Sequence, residues 1–344
     1  MASWLIQTEG IIDHGNIVQF IGTQPARVLT QIVLHFFRNT HVNFFEEIVN
    51  LIESGKLDNE IDYGVGEVPL QTDKGDYRTP KITIASRSIQ LHESFYSYQW
   101  SITYAIYALF LETIDYPKMN EIAGFEKYKI SQDKILQAKD LFAYAKSLIV
   151  MYSEWNKDEM PNPERYNASN RDYIEQTNVF FTEGMKFILC HEYIHAKKHL
   201  DNLPESSCDD CFKDMEVEAD NEAIDLLLKG TSPSNRFVID IGVVLGVVSM
   251  FFFSATTTGR KHPNAEERLT NALERLAISD DSHAWAFACV GLELWDEQFS
   301  LELNWKGKGS VSYKALYYDI MSQIKQKNAG SQPIEGTTDG RLAD

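Results

Sequence analysis

The stretch "CHEYIHAKKH", residues 190–199, holds two histidines four positions apart, His191 and His195, with Glu192 directly after the first. On an α-helix, positions four apart lie on one face, one turn up. Two imidazoles placed this way can converge on one ion at about 2.0–2.1 Å from each nitrogen, the range that zinc requires. Glu192 is turned about 100° away from His191 by the helical period, so it is poorly placed as a ligand to the same ion. It is better placed to take a proton from water that the ion acidifies and to return it to a leaving amine. That division of labour gives H-E-x-x-H its mechanism. The competing reading is a solvated helix face carrying three polar residues. The preceding "FFTEGMKFILC" argues against it, because the helix enters the motif from an apolar core. Burying two histidines and a glutamate there is costly unless they are paired or liganded.

A catalytic zinc needs a third protein ligand and an open fourth position. Three candidates lie downstream. His199 is one turn beyond His195, but three ligands along one straight helix do not converge, so His199 is expected to be dispensable to the metal. Cys208 and Cys211 form a CxxC, which would close the site as structural zinc and leave Glu192 idle. They are expected instead to be reduced loop cysteines. The third candidate is "MEVEADNEAIDLLL", residues 215–228, a helix arriving after a loop long enough to reverse direction. Glu216 can supply the ligand. Asp220, four residues on, can accept the free N–H of a liganding histidine and fix its tautomer. Glu218 is expected to face solvent.

The elements that must hold these residues are mostly helical. Apolar spacing predicts helices over 24–37, 44–54, 94–115, 132–155, 171–200, 213–229, 235–255, 264–277, 283–299 and 311–327. Residues 58–80 read as loop with short strands. "PKITIASRSIQLHE", residues 80–93, reads as a strand with a break or bulge at Ser86–Ser88. The expected fold class is α+β, predominantly helical, with a small N-terminal sheet. The expected division is an N-terminal α+β region over 1–92, a helical region carrying the metal site over 93–328, and a disordered tail over 329–344.

The chain has 344 residues, a net charge of −18 and 44% apolar residues, which is globular composition without a basic patch for a nucleic acid backbone. The opening "MASWLIQTEGIIDHGN" shows neither a basic nor a long apolar stretch, so no secretion signal and a cytoplasmic location are expected. Cys190 and Cys289 read as buried thiols. Residues 241–255, "IGVVLGVVSMFFFSA", carry no charge, and this length fits a buried core helix better than a membrane span. Gly242 and Gly246 allow a neighbouring helix to approach closely.

H-E-x-x-H followed by a helix bearing Glu216-x-x-x-Asp220 resembles the gluzincin pattern of zinc metallopeptidases. "TTTGRKHPNAEERLTNALERL", residues 256–276, is similar to the His-Pro…Glu-Arg segment of HtpX-type and Lit-type peptidases. HtpX-type enzymes carry membrane spans, so the resemblance is closest to the phage-exclusion Lit-type family. It implies a zincin-like fold, a zinc cofactor, and a setting in bacterial abortive defence. The implied partner is a protein substrate, a translation factor such as elongation factor Tu; the need for an activator stays open, and nucleic acid and membrane are not expected partners. Within the third motif, His262 either donates to the oxyanion of the tetrahedral intermediate or only fixes the loop at a helix start. Arg268 is expected to pair with a buried carboxylate near the metal helices. Two other readings stay open: a non-catalytic, zinc-stabilised binding module, and a membrane-anchored, HtpX-like quality-control peptidase.

Overall fold

The computed structural model describes residues 22–204 and 208–329. Its centre is α3 (Glu93–Phe110), whose sequence has no polar stripe and which is buried at every residue except Tyr107. A helix apolar all round must be enclosed by others. Around α3 pack α5 (Gln132–Val150), α6 (Arg171–Ile194) and α10 (His283–Phe299). A wider π turn, Leu111–Asp115, links α3 to α4 (Tyr116–Ala123). On the N-terminal side, α1 (Thr30–Arg38) lies on α6, and α2 (Phe44–Glu53) follows it. One contiguous apolar core runs from Ala26 to Ile324.

α6 is the spine of the site, and its far side is covered by α8 (Arg236–Val248), which continues as a 3-10 turn to Phe253. The two backbones touch. A Cβ on Gly242 would lie 2.5 Å from Glu183 Cβ and 2.9 Å from the Gly184 nitrogen, so only glycine fits at that crossing. Among the described residues, Arg236–Phe253 is long and apolar enough to cross a membrane by length and composition, yet 72% of it is buried inside the protein.

The sheet has three short strands, β1 (Asp62–Gly64), β2 (Lys81–Ile82) and β3 (Ile89–His92), in the order β1-β3-β2. β1 runs parallel to β3 and β2 antiparallel to it. Here the structure departs from the sequence expectation. The break or bulge expected at Ser86–Ser88 is a full reversal: residues 80–93 hold two strands of a hairpin, not one interrupted strand. Thr83 turns the chain: its carbonyl accepts from Arg87 N at 2.9 Å, its hydroxyl meets Ser86 Oγ at 2.7 Å, and Arg87 takes a positive φ of 56°. Alternation of apolar residues on both arms reads the same whether the chain bends or reverses. The turn leaves β2 at the sheet edge, facing α6.

α7 (Asp209–Lys229) starts four residues before the expected position. Cys208 and Cys211 are joined as a disulfide across its start, which corrects the reading of them as reduced loop cysteines. Asp209 and Asp210 in the first turn favour a helix N-terminus there. Cys190 and Cys289 are free and buried. The chain closes with α9 (Ala265–Arg275), α10 and α11 (Tyr313–Ala329). Apart from Ala329, the tail expected over 329–344 lies outside the described residues, as does the N-terminal stretch to residue 21.

Candidate metal centre and active site

His191 and His195 project from the last two turns of the α6 spine, the second at the start of a π turn, His195–His199. Glu216 comes from α7, which packs beside α6. Three ligand-capable atoms meet at this crossing. His191 Nε2 and His195 Nε2 are 3.0 Å apart. Glu216 Oε1 lies 3.2 Å from His195 Nε2, and Glu216 Oε2 lies 3.4 Å from His191 Nε2. Ligands on a tetrahedron with bonds of about 2.0–2.1 Å are about 3.3 Å from one another, so the separations suit zinc. All three residues are buried, at 4%, 3% and 1% exposure. They are a candidate metal-binding triad. Among the described residues, Glu216 Oε2 accepts no hydrogen bond of ordinary geometry, which leaves a buried carboxylate lone pair available to an ion.

The groups behind the triad set its charge. Asp220 Oδ1 lies 2.8 Å from His191 Nδ1, so it accepts that N–H when Nε2 is a ligand. Arg268 reaches Asp220 from α9 with two bonds of 2.7 Å, a bidentate guanidinium–carboxylate pair inside the protein. Burial works against the Asp220 carboxylate, but Arg268 and His191 outweigh it and hold it down at about 2. Burial likewise opposes a charged His191, while Asp220 and Glu216 raise it to about 9. Glu216 is held well below the usual carboxylate range against the pull of burial, chiefly by His262, His195 and His191.

His262 stands on the loop before α9, with Nδ1 2.9 Å from Glu216 Oε2. It lines a cleft of about 280 Å³ whose walls include Tyr77, Met250, Phe251, Phe253 and Arg268. Glu192 and His191 together line a small cavity of about 40 Å³ that shares Thr79, Met250, Phe253 and Arg268 with that cleft. The Glu192 carboxylate is 4% exposed and accepts Ile82 N–H of β2 at 2.9 Å. The edge strand and the H-E-x-x-H helix therefore meet at this glutamate.

A peptidase U49 family model matches residues 89–288, more than half of the chain, from β3 into α10. The chain belongs to the peptidase U49 family. This is the family of Lit-type peptidases, and it makes the protein a peptidase. The matched span carries His191, Glu192, His195, Glu216, Asp220, His262 and Arg268, so every site residue described above falls inside it. β2 and its Ile82 fall outside. No curated protein and no solved structure matches the chain.

His199 and Glu218 lie outside the ligand triad, as expected, but they touch each other. Glu218 is exposed on α7, as expected, and in addition accepts from Lys198 Nζ at 2.6 Å and contacts His199 Nε2 at 3.2 Å. His199 is buried behind His195, their Nδ1 atoms 2.9 Å apart, and is outside the ligand triad. Burial outweighs Glu218 and lowers the His199 pKa, which favours the neutral ring. The helical wheel of α7 alone could not reveal this contact, because it depends on where the end of α6 lies.

Proposed function

We propose that this U49-family peptidase is a zinc-dependent endopeptidase, with His191, His195 and Glu216 holding the ion and Glu192 acting as general base. The observation that carries the reading is the 3.0–3.4 Å spacing of three buried ligand atoms drawn from two helices. Zinc held by His191, His195 and Glu216 would supply Lewis acidity to the scissile carbonyl and lower the pKa of water beside it. Glu192, which lines the cavity with His191, would take the proton of the attacking water and return it to the leaving amine. Ile82 N–H, at the outer edge of β2, orients the Glu192 carboxylate. His262, facing the cleft beside Glu216, is placed to stabilise negative charge on the reacting carbonyl.

The test is Glu192→Gln. The amide preserves shape and removes the base, so the variant should retain zinc at one per chain and lose proteolysis. Undiminished cleavage refutes the role. The non-catalytic, zinc-stabilised alternative predicts no cleavage by either protein. By analogy with the motifs it resembles, we propose that the reaction belongs to phage exclusion in the cytoplasm, with a translation factor such as elongation factor Tu as substrate. Fragments mapped in cells expressing active and Glu192→Gln protein test that assignment. Burial of most of Arg236–Phe253 in the core favours this setting over a membrane-anchored quality-control role.

A further inference from the structure

Both liganding histidines make a contact through Nδ1, but the two contacts differ in kind. His191 Nδ1 meets a carboxylate, Asp220, which can only accept. His195 Nδ1 meets another imidazole, that of His199, at 2.9 Å, and His199 Nε2 in turn lies 3.2 Å from Glu218 Oε2. Glu218 is held from its other oxygen by Lys198. A neutral imidazole has one N–H and one lone pair, so the direction of each bond in this chain is constrained by the next.

We propose that His199 is a positioning residue for His195, receiving the His195 Nδ1–H and passing its own Nε2–H to Glu218. The inference rests on the zinc reading above, and two steps of proton counting lead to it. Ligation through His195 Nε2 uses that lone pair, which puts the ring proton on Nδ1. His199 Nδ1 must then accept, which puts the His199 proton on Nε2, and an ionised Glu218 can only accept it. Every link has one donor and one acceptor. The reverse direction would protonate His195 Nε2 and remove the ligand. His195, at 3% exposure, has little access to water as a substitute partner, so losing the acceptor that His199 supplies would leave its buried Nδ1–H unsatisfied. The residue that a straight helix places too far away to touch the ion thus orients the one that does. The two ligands on α6 are steadied from opposite sides, His191 through Asp220 and Arg268, His195 through His199, Glu218 and Lys198.

Chelator-competition measurement of zinc affinity in the full chain tests this with a pair of variants that separates an acceptor role from packing. His199→Asn keeps an acceptor near the Nδ1 position, and His199→Phe keeps the ring shape without one. The proposal expects Asn to bind zinc nearly as the wild type does and Phe to lose about 10–100-fold. If packing is the whole role of His199, Phe keeps wild-type affinity and Asn falls, and the proposal is overturned. Equal affinities for both variants overturn it as well, while a wild-type protein that retains no zinc overturns the zinc site itself and the proposal with it. Should the variants fail to fold, long-range ¹H–¹⁵N spectra of histidine-labelled, zinc-loaded wild type read the tautomers directly. His195 is expected as Nδ1–H and His199 as Nε2–H; an Nδ1–H tautomer at His199 refutes the arrangement.

Discussion

The ion pair between Asp220 and Arg268 invites a quantitative test, because each partner is buried and the bonds between them are short. Asp220 accepts two bonds of 2.7 Å from the guanidinium and stands 2.8 Å from His191 Nδ1. Asp220→Asn preserves size but leaves Arg268, 8% exposed, without its closest counter-charge. Breaking one side of such a pair costs about 3–5 kcal/mol, most of it the penalty of an uncompensated buried charge. Glu216 Oε2, 3.8 Å from Arg268 Nη1, offsets part of that loss, so the lower end of the range is expected. Arg268→Met should cost a similar amount by stranding Asp220. In the double variant both charges are gone, and the loss should be smaller than the sum of the two single losses by 1 kcal/mol or more, within the range of about 0.5–3 kcal/mol for residues in direct contact. Urea unfolding of chelator-treated protein measures all four corners of the cycle without contribution from zinc. The pH dependence follows the same pair. Asp220 has a folded pKa depressed to about 2 from an ordinary 3.8, so its stabilisation is complete above 3.8 and lost as pH falls toward 2. The Asn variant should lack that part of the acid-limb slope. Additive single losses, or an unchanged acid limb, would refute the claim that this pair is an electrostatic unit.

Zinc should compete with a proton at His191. With its folded pKa raised from 6.5 to about 9 in the metal-free protein, protonation of His191 stabilises that form fully below 6.5 and loses effect as pH rises through 9. Zinc binding between those values should therefore release a proton, seen calorimetrically as a buffer-dependent enthalpy, and apparent affinity should climb with pH to about 9. At the α6–α8 crossing, Gly242→Val should destabilise the protein by about 1–3 kcal/mol or more, because the new Cβ would meet Glu183 Cβ at 2.5 Å. Thermal unfolding checks this, and an unchanged midpoint would mean that the two backbones stand further apart. Replacing both Cys208 and Cys211 with serine should leave zinc content unchanged, measured by mass spectrometry, since neither belongs to the triad.

What the sequence made legible depended on whether a feature was local to one helix or lay between two. The 3.6-residue period places His191 with His195, and Glu216 with Asp220, before any tertiary contact is known. The long helices were readable for the same reason: apolar residues at i, i+3 and i+4 need no partner to be recognised. Contacts between elements were legible only where chemistry demanded them. A triad needs a third ligand, and α7 arrives from another direction, so the pairing of α6 with α7 was accessible to reasoning. Nothing comparable demanded the contact of Glu218 with His199, and a wheel drawn for α7 alone turns Glu218 toward water. Nor did anything demand the hairpin at Thr83–Ser88. Its turn carries no Asn-Gly or Asp-Gly, and the positive φ falls on Arg87, a residue without the usual signature for it. The hairpin nevertheless places Ile82 N–H on Glu192, because reversal at Thr83 is what makes β2 an edge strand against α6. The proposed base is thus named by a local pattern and held by a non-local one. The same holds for His195, whose place in the motif is fixed by spacing while its partner, His199, is set by the turn that follows and by a helix about twenty residues downstream.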